Sequence, residues 1–150
     1  MSDTKYSLIY HIVFSTKERF PSINKFFEKD LYNYIGAIIR NKEGILLEIG
    51  GTANHVHLAL KLKPTHSIPD LLQAIKSNSS KWINENKKTV GLFSWQVGYG
   101  IFSISESLLP KVIDYIKNQK EHHRKRSFEE EFELLLNKHE IEYSPKYLWG

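Results

Sequence analysis

Between Tyr6 and Ser105 the apolar residues switch repeatedly between dense extended runs and a spacing of three or four, an alternation that constrains the fold more than any other feature. Tyr6–Ser15 is rich in β-branched and aromatic residues and lacks Gly and Pro, which predicts a first strand ended by Lys17, Glu18, Arg19 and Pro21. From Ile23 to about Asn41, residues Ile23, Phe27, Leu31, Tyr34, Ile35 and Ile38 line one face of an amphipathic helix. Gly44 restarts extended structure. Ile45–Ile49 and His55–Leu62 read as an antiparallel pair joined through Gly50, Gly51, Thr52 and Ala53, small residues suited to a turn or bulge. Beyond Pro64, Ser67 and Asp70 predict a capped helix with Pro69 in its first turn and Ile68, Leu71, Leu72, Ile75 and Trp82 on its apolar side. Trp95–Ser105 is extended again, weakened by Gly98 and Gly100.

Two helices follow. One starts at Ser107 with Leu109, Val112, Ile113 and Ile116 as its buried stripe. After a break near Arg126, Ser127 and Glu130 cap a shorter one with Phe128, Phe132, Leu135, Leu136 and His139 inward and charges outward. The order strand, helix, strand, strand, helix, strand predicts an α+β fold. It is a ferredoxin-like split βαβ sandwich, an antiparallel sheet with two covering helices on one face, plus the two C-terminal helices. The other sheet face is expected to stay open, bind something or pair in an oligomer. The 150 residues contain no repeat, low-complexity tract or linker, so residues 1–150 are expected to form a single domain.

Lys plus Arg number 21 against 17 Asp plus Glu, a net +4 compatible with a polyanionic partner without requiring one. The chain has no cysteine, which excludes disulfides, a thiol nucleophile and thiolate-bound metals. Any metal must therefore be held by His, Asp, Glu, Gln, backbone or water. The start Met-Ser-Asp-Thr-Lys-Tyr has no apolar leader and no stretch reaches membrane-spanning length, so a soluble, cytoplasmic protein with no membrane partner is expected.

In His55-Val56-His57 the strand period of two aims both imidazoles to one side while Val56 and Leu58 face the other. The pair is compatible with a structural role as well as a metal edge, and a metal would need a further ligand from elsewhere. Tyr115 and Gln119 are four residues apart and share a helix face, with His122 one turn along. Gln119 offers a carbonyl oxygen to a metal and Tyr115 a hydroxyl to an electrophile. Taken singly, each is equally explained by packing or solvation.

Taken together, several segments resemble the Y1 transposases of the IS200/IS605 family, members of the nucleases whose metal motif is histidine, hydrophobic residue, histidine. Tyr10-His11-Ile12-Val13-Phe14-Ser15-Thr16-Lys17 is similar to the family's first strand, and Gly51-Thr52-Ala53-Asn54-His55-Val56-His57-Leu58 to its metal strand. Trp95–Ser103 resembles its last core strand, and Tyr115-Ile116-Lys117-Asn118-Gln119-Lys120-Glu121-His122-His123 its catalytic helix. The likeness spans about residues 5 to 140. It implies Tyr115 as nucleophile and His55, His57 and Gln119 as ligands of a divalent cation, Mg²⁺ or Mn²⁺. It further implies cleavage and rejoining of single-stranded DNA through a 5′-phosphotyrosine with release of a 3′-hydroxyl, guidance by DNA hairpins, and a homodimer with a shared active site, nucleoid-associated when acting.

Phosphate contacts are expected from Lys17 and Arg19, from Lys76, Lys81, Lys87 and Lys88, and from Arg124, Lys125 and Arg126, each of which is also explicable as a solvated charge. Trp82, Trp95 and Tyr99 can stack on bases or pack in the core. His11, His66, His122, His123 and His139 can titrate or bind phosphate. Competing readings are a domesticated relative that processes repeats, a non-catalytic ferredoxin-like nucleic-acid binder, a phosphodiesterase in which water attacks, and a structural dimerisation protein.

Overall fold

The computed structural model describes residues 3–149. Four strands, β1 (Ile9–Ser15), β2 (Ile45–Thr52), β3 (His55–Lys61) and β4 (Gly100–Ile104), form one antiparallel sheet in the order β2-β3-β1-β4. Helices α1 (Glu28–Asn41) and α2 (Ile68–Glu85) connect them as the split βαβ pattern requires. The remaining chain forms α3 (Leu109–Lys117), α4 (Gln119–His122), α5 (Phe128–Lys138) and a terminal turn, α6 (Pro145–Leu148).

The sheet has a core on each face because its two central strands are buried on both sides. Ile12 and Phe14 of β1 with Val56, Leu58 and Leu60 of β3 pack against Leu31, Ile35 and Ile39 of α1 and Leu71, Leu72 and Ile75 of α2. On the reverse face Val13 and Phe102 meet Phe128, Phe132 and Leu136 of α5. That face is not open: the chain's own C-terminal helices cover it and enclose the side chains of His55 and His57. After β4 the chain recrosses the sheet, so α3 lies against β2 and β3 at the far edge.

Several boundaries differ from the sequence expectation for local reasons. α1 begins at Glu28 rather than Ile23, because the Asn24 side chain accepts from Phe26 N at 2.9 Å and turns the chain; Ile23 and Phe27 remain buried. Gly50 and Gly51 lie inside β2, leaving only Ala53 and Asn54 as the turn, and the bulge falls between Leu46 and Glu48. Here glycine is needed for close approach: a Cβ on Gly50 would run into the Ile116 carbonyl of α3. Only the end of Trp95–Ser105 is strand. Trp95 makes an isolated bridge to Thr16, and the loop Gln96–Gly98 is held by Lys76. The caps expected at Ser67 and Ser127 form, Ser67 accepting from Asp70 N and Ser127 making a reciprocal box with Glu130, whereas the helix expected to start at Ser107 starts at Leu109 from an N-cap at Leu108 that makes no side-chain bond.

Candidate metal centre and tyrosine site

His55 and His57 project from β3 onto the reverse face, fully buried, at register positions opposite Ser15 and Val13 of β1. α5 brings Glu131 against them. Its Oε1 lies 3.0 Å from His57 Nε2, 3.4 Å from His55 Nε2 and 2.9 Å from His123 Nε2. Its Oε2 accepts from the Tyr115 hydroxyl and, at 3.0 Å, from Gln119 Nε2. Gln119 Oε1 is 2.9 Å from His55 Nε2. One buried carboxylate thus touches both halves of the expected site.

Burial alone would push the Glu131 carboxyl up, but hydrogen bonds from His123, His55 and His57 hold it well below the usual carboxylate range, so it is ionised. Burial, with the Glu131 charge beside it, raises the Tyr115 phenol above its ordinary value and keeps it protonated. Burial lowers His57 to about 4 despite its Glu131 hydrogen bond, and burial with the neighbouring His57 lowers His11 to about 3, so both rings are neutral at pH 7. His122 stacks on the Tyr115 ring with centroids 4.7 Å apart.

The donor set fits a divalent cation. A nitrogen from His55, one from His57 and a Glu131 oxygen all lie within 4.8 Å of one another. Two imidazoles and a carboxylate are a borderline-to-hard set with room for oxygen ligands from Gln119, water or phosphate. Each imidazole Nδ1 also has a partner that can accept its proton, so that a metal taking Nε2 in place of the Glu131 hydrogen bond would leave the proton on Nδ1: Asn54 Oδ1 lies 2.8 Å from His55 Nδ1, and His11 Nε2 lies 2.7 Å from His57 Nδ1.

The structure therefore brings together Tyr115, His55, His57 and Gln119, although the helix carrying Tyr115 breaks at Asn118 before Gln119. Sequence reasoning missed Glu131 altogether, assigning it to a charged outer face. Its signal was position: Glu131 sits three residues after Phe128 and four before Leu135, inside the helix's apolar stripe.

The expected DNA-contacting cations divide. Lys125 and Arg126 line a cavity of about 350 Å³ beside Tyr115, His122 and His123. Lys17 and Lys88 border a separate depression with Phe20 and Leu92, while Lys87 is exposed nearby. Lys81 and Arg124 are exposed beside Glu85 and Glu121 at 3.8 and 3.3 Å. Arg19 lies 4.9 Å over the Trp149 ring, tying the C-terminal turn to the loop after β1. Lys76 donates to the carbonyls of Gln96, Val97 and Gly98 at 2.9, 3.3 and 2.6 Å, and burial lowers its ammonium to about 8. Its ammonium is thereby committed to shaping that loop. Trp82 stacks on Tyr34 and has the Lys88 ammonium 5.6 Å from its ring centroid, and Trp95 is buried with Phe14 and Phe93 packed edge-on against it.

A ferredoxin-like sheet bearing a histidine, hydrophobic residue, histidine motif, with a tyrosine on a helix laid across it, defines a metal-dependent nuclease of the tyrosine type. The family model described as "Transposase IS200 like" matches residues 4–119, and the chain belongs to that family. It is 28% identical over 130 residues to the transposase for insertion sequence element IS200 of Salmonella typhimurium, covering 81% of this chain and 82% of that one. It is 27% identical over 121 residues to the ISDra2 transposase TnpA of Deinococcus radiodurans, covering 76% and 85%. A transposase crystal structure from Deinococcus radiodurans superimposes with a TM-score of 0.62 at 26% identity, over 79% of this chain and 98% of that one. A REP-associated tyrosine transposase bound to a REP hairpin shares the fold, with a TM-score of 0.62 at 15% identity over 82% and 74%. α5, with Glu131, lies beyond the matched family segment. Among the described residues no helix is long and apolar enough to cross a membrane.

Proposed function

We propose that this chain cleaves and rejoins single-stranded DNA by transesterification, with Tyr115 as nucleophile and a divalent cation, Mg²⁺ or Mn²⁺, held by His55, His57 and Glu131 with Gln119 as a further donor. The observation that carries this is the shared carboxylate: Glu131 accepts from the Tyr115 hydroxyl through one oxygen and meets His57 Nε2 at 3.0 Å through the other. A cation bound there would polarise a nonbridging phosphate oxygen and stabilise charge on the departing 3′-oxygen. The chain's own residues do the rest. Glu131 and the stacked His122 ring hold the phenol in place, and Lys125 and Arg126 neutralise the phosphate that approaches it. Loss of the phenol proton and attack on phosphorus form a 5′-phosphotyrosine, and the reverse attack by a 3′-hydroxyl rejoins DNA without ATP.

Imperfect hairpins are the expected guides, by analogy with the hairpin bound in the REP-associated transposase structure. Tyr115→Phe removes the attacking oxygen and leaves the ring. With Mg²⁺ or Mn²⁺ and labelled single strands and hairpins, wild type forms a denaturant-resistant adduct, while the variant binds DNA without forming one. An adduct of undiminished yield on Tyr115→Phe would exclude this residue as nucleophile.

We infer further that the site is shared within a homodimer. Support comes from the path of α3, which leaves β4 through the short segment 105–108 yet packs against β2 at the opposite edge, so exchange between copies would reproduce the same contacts. Mixing Tyr115→Phe with His57→Ala then restores cleavage. Failure with confirmed mixed dimers would assign the site to a single chain.

A further inference from the structure

Tyr115, Arg126 and Glu131 border two cavities at once, the polar one described above and a second of about 430 Å³ between β4, α3 and α5. The second has a different chemistry. Phe102, Val112 and Leu135 give it an apolar lining, and Leu108 and Leu134 stand on its rim 52% and 46% exposed. Lys111 and Lys138 join Arg126 around it, and its one acidic lining residue, Glu131, is already engaged by Tyr115, Gln119 and the imidazoles. The His139 ring lies against Phe102 with centroids 4.4 Å apart and planes 29° from parallel, adding an aromatic face.

We propose that this second cavity is a nucleotide subsite that receives the unpaired base next to the phosphate attacked by Tyr115. An apolar slot ringed by cations matches a planar base attached to phosphodiesters, and its volume lies in the range of about 300–1,000 Å³ typical of small-molecule sites. Its position fixes the register, because Tyr115 and Arg126 form the wall between the two cavities. A strand crossing that wall sets its phosphate at the hydroxyl and turns one base into the apolar side. A base in a duplex cannot enter without leaving its stack, so the subsite selects single-stranded DNA at the reacting position. The assignment rests on the reading of Tyr115 as the nucleophile.

The test is photo-cross-linking of the full chain to random-sequence single strands of about twelve nucleotides carrying 5-iodouracil, with the cross-linked residues mapped by mass spectrometry. Wild type cross-links at Phe102, Tyr115 or His139. Leu134→Glu and Leu108→Glu, both at exposed positions that leave the core intact, weaken single-strand affinity about tenfold, as loss of one stacked base implies. Ile45→Glu makes the same charge change at an exposed site on β2 and leaves affinity within about twofold, the window that separates a general charge effect from a lost base contact. Cross-links confined to other surfaces, or equal affinity of Leu134→Glu and Ile45→Glu, overturn the subsite even if the Tyr115 adduct forms. Cross-links in the cavity without any adduct would uphold the cavity as a base-binding site but overturn both the transesterification and the placement of that base next to an attacked phosphate.

Discussion

At the scale of single residues the decisive group is Glu131, because one carboxylate sets the charge felt by the histidines and by the phenol. Glu131→Gln removes that charge, so Mn²⁺ affinity measured by calorimetry falls at least tenfold, the scale of losing one charged ligand hydrogen-bonded to its neighbours. The Tyr115 phenol, raised by the same charge, then titrates at lower pH in an ultraviolet titration. His11 is the second such group. It faces His57 Nδ1 at 2.7 Å and orients the ring, so His11→Phe lowers Mn²⁺ affinity about 10- to 100-fold while His11→Gln, which keeps an acceptor, retains most of it. The two histidines of β3, Tyr115 and Gln119 were legible as a set through the order of motifs that resembles the Y1 transposases, since residue type and spacing taken singly leave each equally explained by packing or solvation. Glu131 was not, since a glutamate in a capped, acidic helix reads as solvated until its neighbours in space are known.

The elements position these groups through a few local choices. Ser127 caps α5 in a reciprocal box with Glu130, four residues before Glu131. Ser127→Ala costs about 1 kcal/mol in a denaturant melt. The same substitution weakens metal binding, because the first turn of α5 frays where its ligand begins. Gly50→Ala tests the other contact. The added methyl meets the Ile116 backbone, so α3 must shift, with a loss of about 1–3 kcal/mol and a fall in adduct yield beyond the stability loss. The caps at Ser67 and Ser127 and all four strand regions were readable from periodicity and cap chemistry, while Ser107 reads as the start of α3 and is not. The turn assigned to Gly50 and Gly51 was not, since glycine serves a tight turn and a close helix approach equally well, and only the path of α3 distinguishes them. Likewise Trp95–Ser105 reads as one strand from composition, yet only Gly100–Ile104 is strand, and the Gln96, Val97 and Gly98 carbonyls are bound by Lys76.

At the scale of the whole molecule the reverse face of the sheet is a core built around polar groups, which makes stability depend on acid and on metal. His57 and His11 have folded values of about 4 and 3, below the ordinary 6.5, so the unfolded chain binds protons first as pH falls. Their neutral burial is fully tolerated above about 6.5 and penalised as pH drops toward 4, and Glu131, depressed in the fold, adds a loss below its ordinary value of 4.5. Metal-free protein is therefore less stable at pH 5 than at pH 7 by on the order of 4 kcal/mol, about 2 from each histidine, measured as a shift in urea midpoint. Saturating Mn²⁺ raises the melting temperature at pH 7, and a His57→Ala variant shows no such rise. By itself the sequence determined the split βαβ order, the lack of thiol chemistry and the likeness that pairs a tyrosine with two histidines, because periodicity, caps and spacing act over a few residues. Tertiary structure alone decided that α5 closes the reverse face with Glu131 at the histidines, that His11 supports His57 and that Tyr115 divides two cavities. Those relations join residues far apart in the chain, and they depend on how the C-terminal helices recross the sheet, which no local pattern encodes.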